Sequence, residues 1–176
     1  MIFVVLTVLG DDRPGLVEAL SDVVAAHGGN WLESRMARLA GKFAGILRVS
    51  VPQSNAEALT HALQNLEAHG LRMIVERSAS EDVVPAYRWL RIDLIGTDHP
   101  GIIRDVSRCL AMQGINIDEL STEYRSAPMS GEMLFKATAQ LQVPLEVTSA
   151  ELRENLESLA QDLMVDITLE DISKDA

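Results

Sequence analysis

The chain has 176 residues, 47% of them hydrophobic and 23% charged, the mix of an ordinary globular protein of one or two small domains. The formal net charge is −11 and neither half has an excess of Lys and Arg, which excludes the basic face that direct binding to nucleic acid needs. Cys109 is the single cysteine, so an internal disulfide and a CxxC zinc site are excluded as well.

Residues 2–9 form a continuous apolar run rich in β-branched side chains, which predicts a strand covered on both faces. No basic stretch precedes this run and no small-residue cleavage site follows it, unlike a signal peptide. No other apolar run approaches the length of a membrane span, and the expected location is the cytoplasm. A helix is expected over about 14–27, with Asp12 as N-cap, Pro14 in the first turn and Gly28-Gly29 as the stop. Leu16, Ala19, Leu20, Val23 and Val24 recur along it at helical spacing. Residues 30–39 and 42–51 read as a hairpin turning at Ala40-Gly41. A second helix over 55–69 and a strand over 71–77 complete a β-α-β-β-α-β unit.

The second half repeats the first. Strands are expected over 87–95, 115–125, 132–143 and 164–170, with helices over 100–113 and 148–162. At a shift of 86 residues, Gly10/Gly96, Asp12/Asp98, Pro14/Pro100, Gly15/Gly101, Gly28/Gly114, Asn30/Asn116 and Glu33/Glu119 coincide. Past the hairpin the shift becomes 92 and then 93, as in Phe43/Phe135 and Leu63/Leu156, which puts six extra residues near 126–131. The expected organisation is a first domain over 1–78, a linker over 79–86, a second domain over 87–171 and a polar tail over 172–176. The fold class is α+β: two ferredoxin-like units, each an antiparallel sheet with both helices on one face.

The first strands of the two repeats differ. Arg91 and Asp93 alternate with Leu90, Ile92 and Leu94, whereas Phe3, Val5 and Thr7 occupy the matching outward positions of the first repeat. That outer face is expected to be covered by a second chain or another element.

Each repeat carries a glycine-ended strand, then Asp-x-Pro-Gly, then a helix. Such a turn presents unpaired N–H groups and the positive end of the helix dipole, which favour a carboxylate. Asp12 and Asp98 offer a partner for an ammonium, and Asn30 and Asn116 offer both a donor and an acceptor. Together these groups suit a small zwitterion such as an amino acid. Taken one by one, the aspartates read as helix caps and the asparagines as turn residues; repetition is what gives the pattern weight.

The pattern Gly-x-Asp-x-Pro-Gly, helix, Gly-x-Asn in such a unit resembles the ACT domain, a small-molecule-sensing module. Two units filling about residues 2–170 resemble the glycine cleavage system transcriptional repressor family, most closely in 9–17 (LGDDRPGLV) and 33–41 (ESRMARLAG). The resemblance implies regulation by a bound amino acid, glycine foremost. The implied ligand contacts are Asp12, Gly15, Leu16 and Asn30 in the first unit, and Asp98, Gly101, Ile102 and Asn116 in the second. These contacts would lie where the first loop and helix of one unit meet another unit. It further implies control of a DNA-binding activator protein by protein contact, with no direct nucleic acid or membrane contact, and a homodimer. Trp31 stands where the second unit has Ile117, and its indole is expected to reshape the first site, which favours the second.

A catalytic role is not expected, and neither is a cofactor. His27, His61, His69 and His99 lack metal-ligand spacing. His99 reads as a solvated turn residue and Cys109 as a buried small hydrophobe. The alternatives are a scaffold that kept the fold and lost the ligand, and the regulatory part of an enzyme of amino-acid metabolism.

Overall fold

A computed structural model of the chain describes residues 1–78, 86–126 and 131–172. The chain divides into two compact units, Met1–Val83 and Val84–Ala176. The expected linker over 79–86, apart from Ala86, the inserted residues 127–130 and most of the tail lie outside the described residues.

The first unit runs β1 (Ile2–Asp11), α1 (Leu16–Ala26), β2 (Asn30–Leu39), β3 (Lys42–Val51), α2 (Ala56–Gln64) and β4 (Leu71–Ser78), with 3₁₀ turns on both sides of α2. The second runs β5 (Tyr87–Thr97), α3 (Ile102–Met112), β6 (Asn116–Ser126), β7 (Met133–Pro144), α4 (Ser149–Leu163) and β8 (Val165–Asp171). The sheet orders are β2-β3-β1-β4 and β6-β7-β5-β8, with all neighbouring strands antiparallel. This is the expected βαββαβ layout, twice. Even an irregularity repeats: the register shifts between Trp31 and Glu33 and again between Ile117 and Glu119. Both residues of the Ala40-Gly41 hairpin turn have positive φ, the geometry that matches strand twist in a two-residue loop.

Each unit has its own aliphatic core. Val4, Leu6 and Val8 of β1 meet Leu16, Leu20 and Val24 of α1 and Leu59 and Leu63 of α2. Leu90, Ile92 and Leu94 do the same with Ile102, Val106 and Leu110 of α3 and Leu152 and Leu156 of α4. The apolar run of β1 therefore alternates after all, with one side of the strand buried and Thr7 and Leu9 exposed on the other. Composition alone could not separate the two faces, because Phe3 and Val5 on the outer side are as apolar as the core residues.

Helix starts differ from the expectation. Neither Asp12 nor Asp98 caps a helix: α1 begins after Gly15 and α3 after Gly101, both left-handed, and neither has a side-chain cap. Pro14 and Pro100 fall in the turn ahead of the helix. By contrast α4 opens with a full capping box. Thr148 Oγ1 accepts from the Glu151 N–H at 3.2 Å, and the Glu151 carboxylate accepts from the Thr148 N–H at 3.2 Å. Thr148 Oγ1 also donates to Glu151 Oε2 at 2.8 Å, and this bond together with the one from the Thr148 N–H holds the Glu151 carboxyl below the usual carboxylate range. Their contribution is thus present at neutral pH and fades as the pH falls through that lowered value. Thr148→Ala is expected to lower stability by about 1 kcal/mol in urea unfolding at neutral pH.

Candidate functional site

Two loops carry the motif, and they are built alike. Strand β1 delivers the chain to Asp11, and the Asp12 N–H donates to Gly41 O at 2.9 Å, so the loop leans on the β2–β3 hairpin. In the second unit the Asp98 N–H donates to Met133 O at 3.1 Å. Gly15 (φ 88°) and Gly101 (φ 103°) then turn the chain into α1 and α3, a conformation that costs a residue with a Cβ about 1 kcal/mol or more. The first turn of each helix keeps N–H groups with no intrahelical partner and no side-chain cap, and an aspartate stands three residues before each of the two glycines. Leu16 and Ile102 are 6% and 3% exposed. Their side chains belong to the cores, so only their backbone N–H groups can meet a ligand.

The asparagines lie elsewhere. Asn30 is level with Ser50, which is level with Phe3 at the start of β1, whereas Asp11 pairs with Lys42 at its end. Asn116, Gln142 and Trp89 form the same line in the second sheet. Along a strand that separation is roughly 26 Å. Within one unit, no ligand of amino-acid size touches both the loop and the asparagine. Asn116 Nδ2 donates to Gln142 Oε1 at 3.1 Å, while Asn30 has no side-chain partner among the described residues.

The aspartates are unequal. The Asp12 carboxylate is held by Arg38 Nε at 2.7 Å, and Asp11 beside it is paired with Lys42, whose hydrogen bond draws its carboxyl below the usual range. At the position of Arg38 the second unit has Tyr124, and the Asp98 carboxylate has no ion-pair partner among the described residues. Trp31 does not explain the difference between units, because it packs on the first core as Ile117 packs on the second.

Arg13 escaped the sequence reading, and His99 was misplaced by it. Arg13 donates to His69 O, and His99 Nε2 donates to Leu163 O at 2.9 Å. These are the same position in the two repeats, 86 residues apart, and each ties its loop to a carbonyl where the second helical segment of its unit ends. His99 is thus a half-buried tether and not a solvated turn residue. The visible signal was a hydrogen-bond donor ahead of Pro in both repeats; its acceptors are backbone carbonyls, which sequence does not show. Cys109 is half-buried, and burial pushes its thiol pKa up. Among the described residues no group of His, Cys, Asp and Glu is arranged to hold a metal ion, and no helix is long and apolar enough to cross a membrane.

Comparison with known proteins bears on the same two units. Residues 2–76 match the ACT domain family. The second unit repeats that fold and its loop. The first unit belongs to the ACT-domain family. This tandem ACT protein is 26% identical over 169 residues to the glycine cleavage system transcriptional repressor of Escherichia coli, covering 92% of this chain and 85% of that one. It is 31% identical to a protein of unknown function from Galdieria sulphuraria, with a TM-score of 0.87 over 98% of this chain and 99% of the other. A solved structure assigned as a candidate glycine cleavage system transcriptional repressor superposes with a TM-score of 0.72 at 22% identity over 98% of both chains, a likeness of fold. The chain is accordingly a regulatory ACT-domain protein related to the glycine cleavage repressors.

Proposed function

We propose that this protein is a non-enzymatic regulator that binds a small amino acid, glycine foremost, at its ACT loops. It controls a transcription factor of glycine cleavage by protein–protein contact. The observation that carries this reading is the pair of helix starts on left-handed glycines: α1 and α3 open this way with no side-chain cap, whereas α2, also without one, continues a 3₁₀ turn and α4 is capped. Free N–H groups at such a start receive a carboxylate, and the unpaired Asp98 carboxylate receives the ammonium. Relation to a repressor of glycine cleavage supplies the target. The net charge of −11 suits contact with a protein and not with DNA.

In this reading the first loop is the weaker site, because its aspartate is already neutralised by Arg38. An asparagine joins a ligand only if a second copy presents it, since its own loop is too far away. Calorimetric titration of the whole chain with glycine, and then with other amino acids, is the test. Saturable heat with glycine is expected, and no heat from any amino acid at millimolar concentration would remove the sensor role.

A further inference from the structure

The two sheets have unlike outer faces. On the second, Arg91 Nε and Asp93 Oδ2 pair at 2.8 Å and Thr138 Oγ1 donates to Asp93 at 2.6 Å. The Arg91 guanidinium beside it holds the Asp93 carboxyl below the usual range, and Lys136 and Gln140 continue the polar surface. The first sheet instead exposes Ile46 and Ile74 at 51% and 60%, on either side of Thr7. Scattered apolar residues on a surface are ordinary. Here they are contiguous, with Val5 and Thr7 between them, and Val5 and Ile46 line a shallow hollow of about 440 Å³.

The charges around this strip are arranged with a symmetry of their own. Val5 is level with Glu76 on β4 and with Arg48 on β3; Thr7 is level with Ile74 on β4 and with Ile46 on β3. Consider a two-fold axis lying along β1, above the sheet. It places the partner's β3 over β4 and the partner's β4 over β3, without changing position along the strands. Ile74 then meets the partner's Ile46, Glu76 meets the partner's Arg48, and both contacts occur twice. Each face is complementary to itself, as an isologous contact requires, at the alignment of packed sheets. Arg48 is also pre-positioned: its guanidinium stacks on the Phe3 ring at 4.5 Å and its Nη1 lies 3.4 Å from Glu33 Oε1.

We infer that the outer face of the first sheet is a self-association surface, on which a second copy of this chain packs sheet to sheet about an axis along β1. This inference does not depend on the ligand. It is tested by analytical ultracentrifugation of the whole chain with three variants at exposed positions or on the charge pair. Ile74→Asp and Glu76→Arg should each raise the dimer dissociation constant by at least about tenfold with circular dichroism unchanged, since each sets an unmatched charge in the contact. Glu76→Arg combined with Arg48→Glu should restore association, because the exchanged pair is again complementary. A wild-type chain that stays monomeric at the highest soluble concentration overturns the inference. So does a dimer indifferent to Ile74→Asp and Glu76→Arg, and failure of the double exchange to restore association overturns the axis along β1.

Discussion

Replacing Asp98 by Ala is expected to weaken glycine binding by roughly 10- to 100-fold. A hydrogen bond to a charged group contributes about 1.5–3 kcal/mol, and each 1.4 kcal/mol is about a factor of ten in affinity. Asp98 is exposed and bonded to the fold through its backbone N–H to Met133 O, which the substitution keeps. The fold should therefore hold to within about 0.5 kcal/mol. The same change at Asp12 should matter less, because that carboxylate is spent on Arg38 at 2.7 Å. Arg38→Ala provides the reciprocal test: it releases Asp12 and should bring the first loop closer to the second. Calorimetry on Asp98→Ala, Asp12→Ala and Arg38→Ala separates the loops. Equal losses at Asp12 and Asp98 would contradict the assignment of the second loop as the stronger site.

Replacing Gly96 by Ala is expected to lower the melting temperature by roughly 4–24 °C. A Cβ at this position would stand 2.5 Å from Val165 Cγ1, 2.9 Å from its Cβ and 3.0 Å from its Cα. Val165 is 8% exposed, and its branched side chain has little rotamer freedom with which to yield. The strands must part where β5 meets β8, since Gly96 is paired with Val165 in the ladder. Overpacking of this kind costs about 1–3 kcal/mol, and each kcal/mol shifts a domain of this size by roughly 4–8 °C. Calorimetry gives the shift, and hydrogen exchange should place the loss in the β5–β8 ladder. Val165→Ala added to Gly96→Ala should be less damaging than the two changes summed, because the first relieves the clash the second makes. Gly10 is the same position in the first unit, where a Cβ would stand 2.7 Å from the Gly70 carbonyl oxygen. The glycine next to the end of each first strand is therefore required by packing, against the entry to β4 in one unit and against β8 in the other, apart from any ligand.

The sequence alone determined the architecture, because it is written twice. The alternation in Leu90, Ile92 and Leu94, the Gly28 and Gly114 stops and the shift of 86 residues all depend on near neighbours along the chain, and periodicity reports local structure well. The coincidence extends to the bulges after Trp31 and Ile117. What the sequence could not determine was which groups are already taken. Asp12 and Asp98 occupy the same place in the repeated Gly-x-Asp-x-Pro-Gly motif, yet one is paired with Arg38 from the hairpin and the other is not. The Arg13 and His99 tethers end on carbonyls 56 and 64 residues away, and Asn30 and Asn116 stand at the opposite end of their sheets from the loops they seemed to accompany. For the aspartates and the asparagines, strand register set the outcome. It brings residues far apart in the chain to the same level and separates those at opposite ends of a strand, and only the folded sheet fixes it.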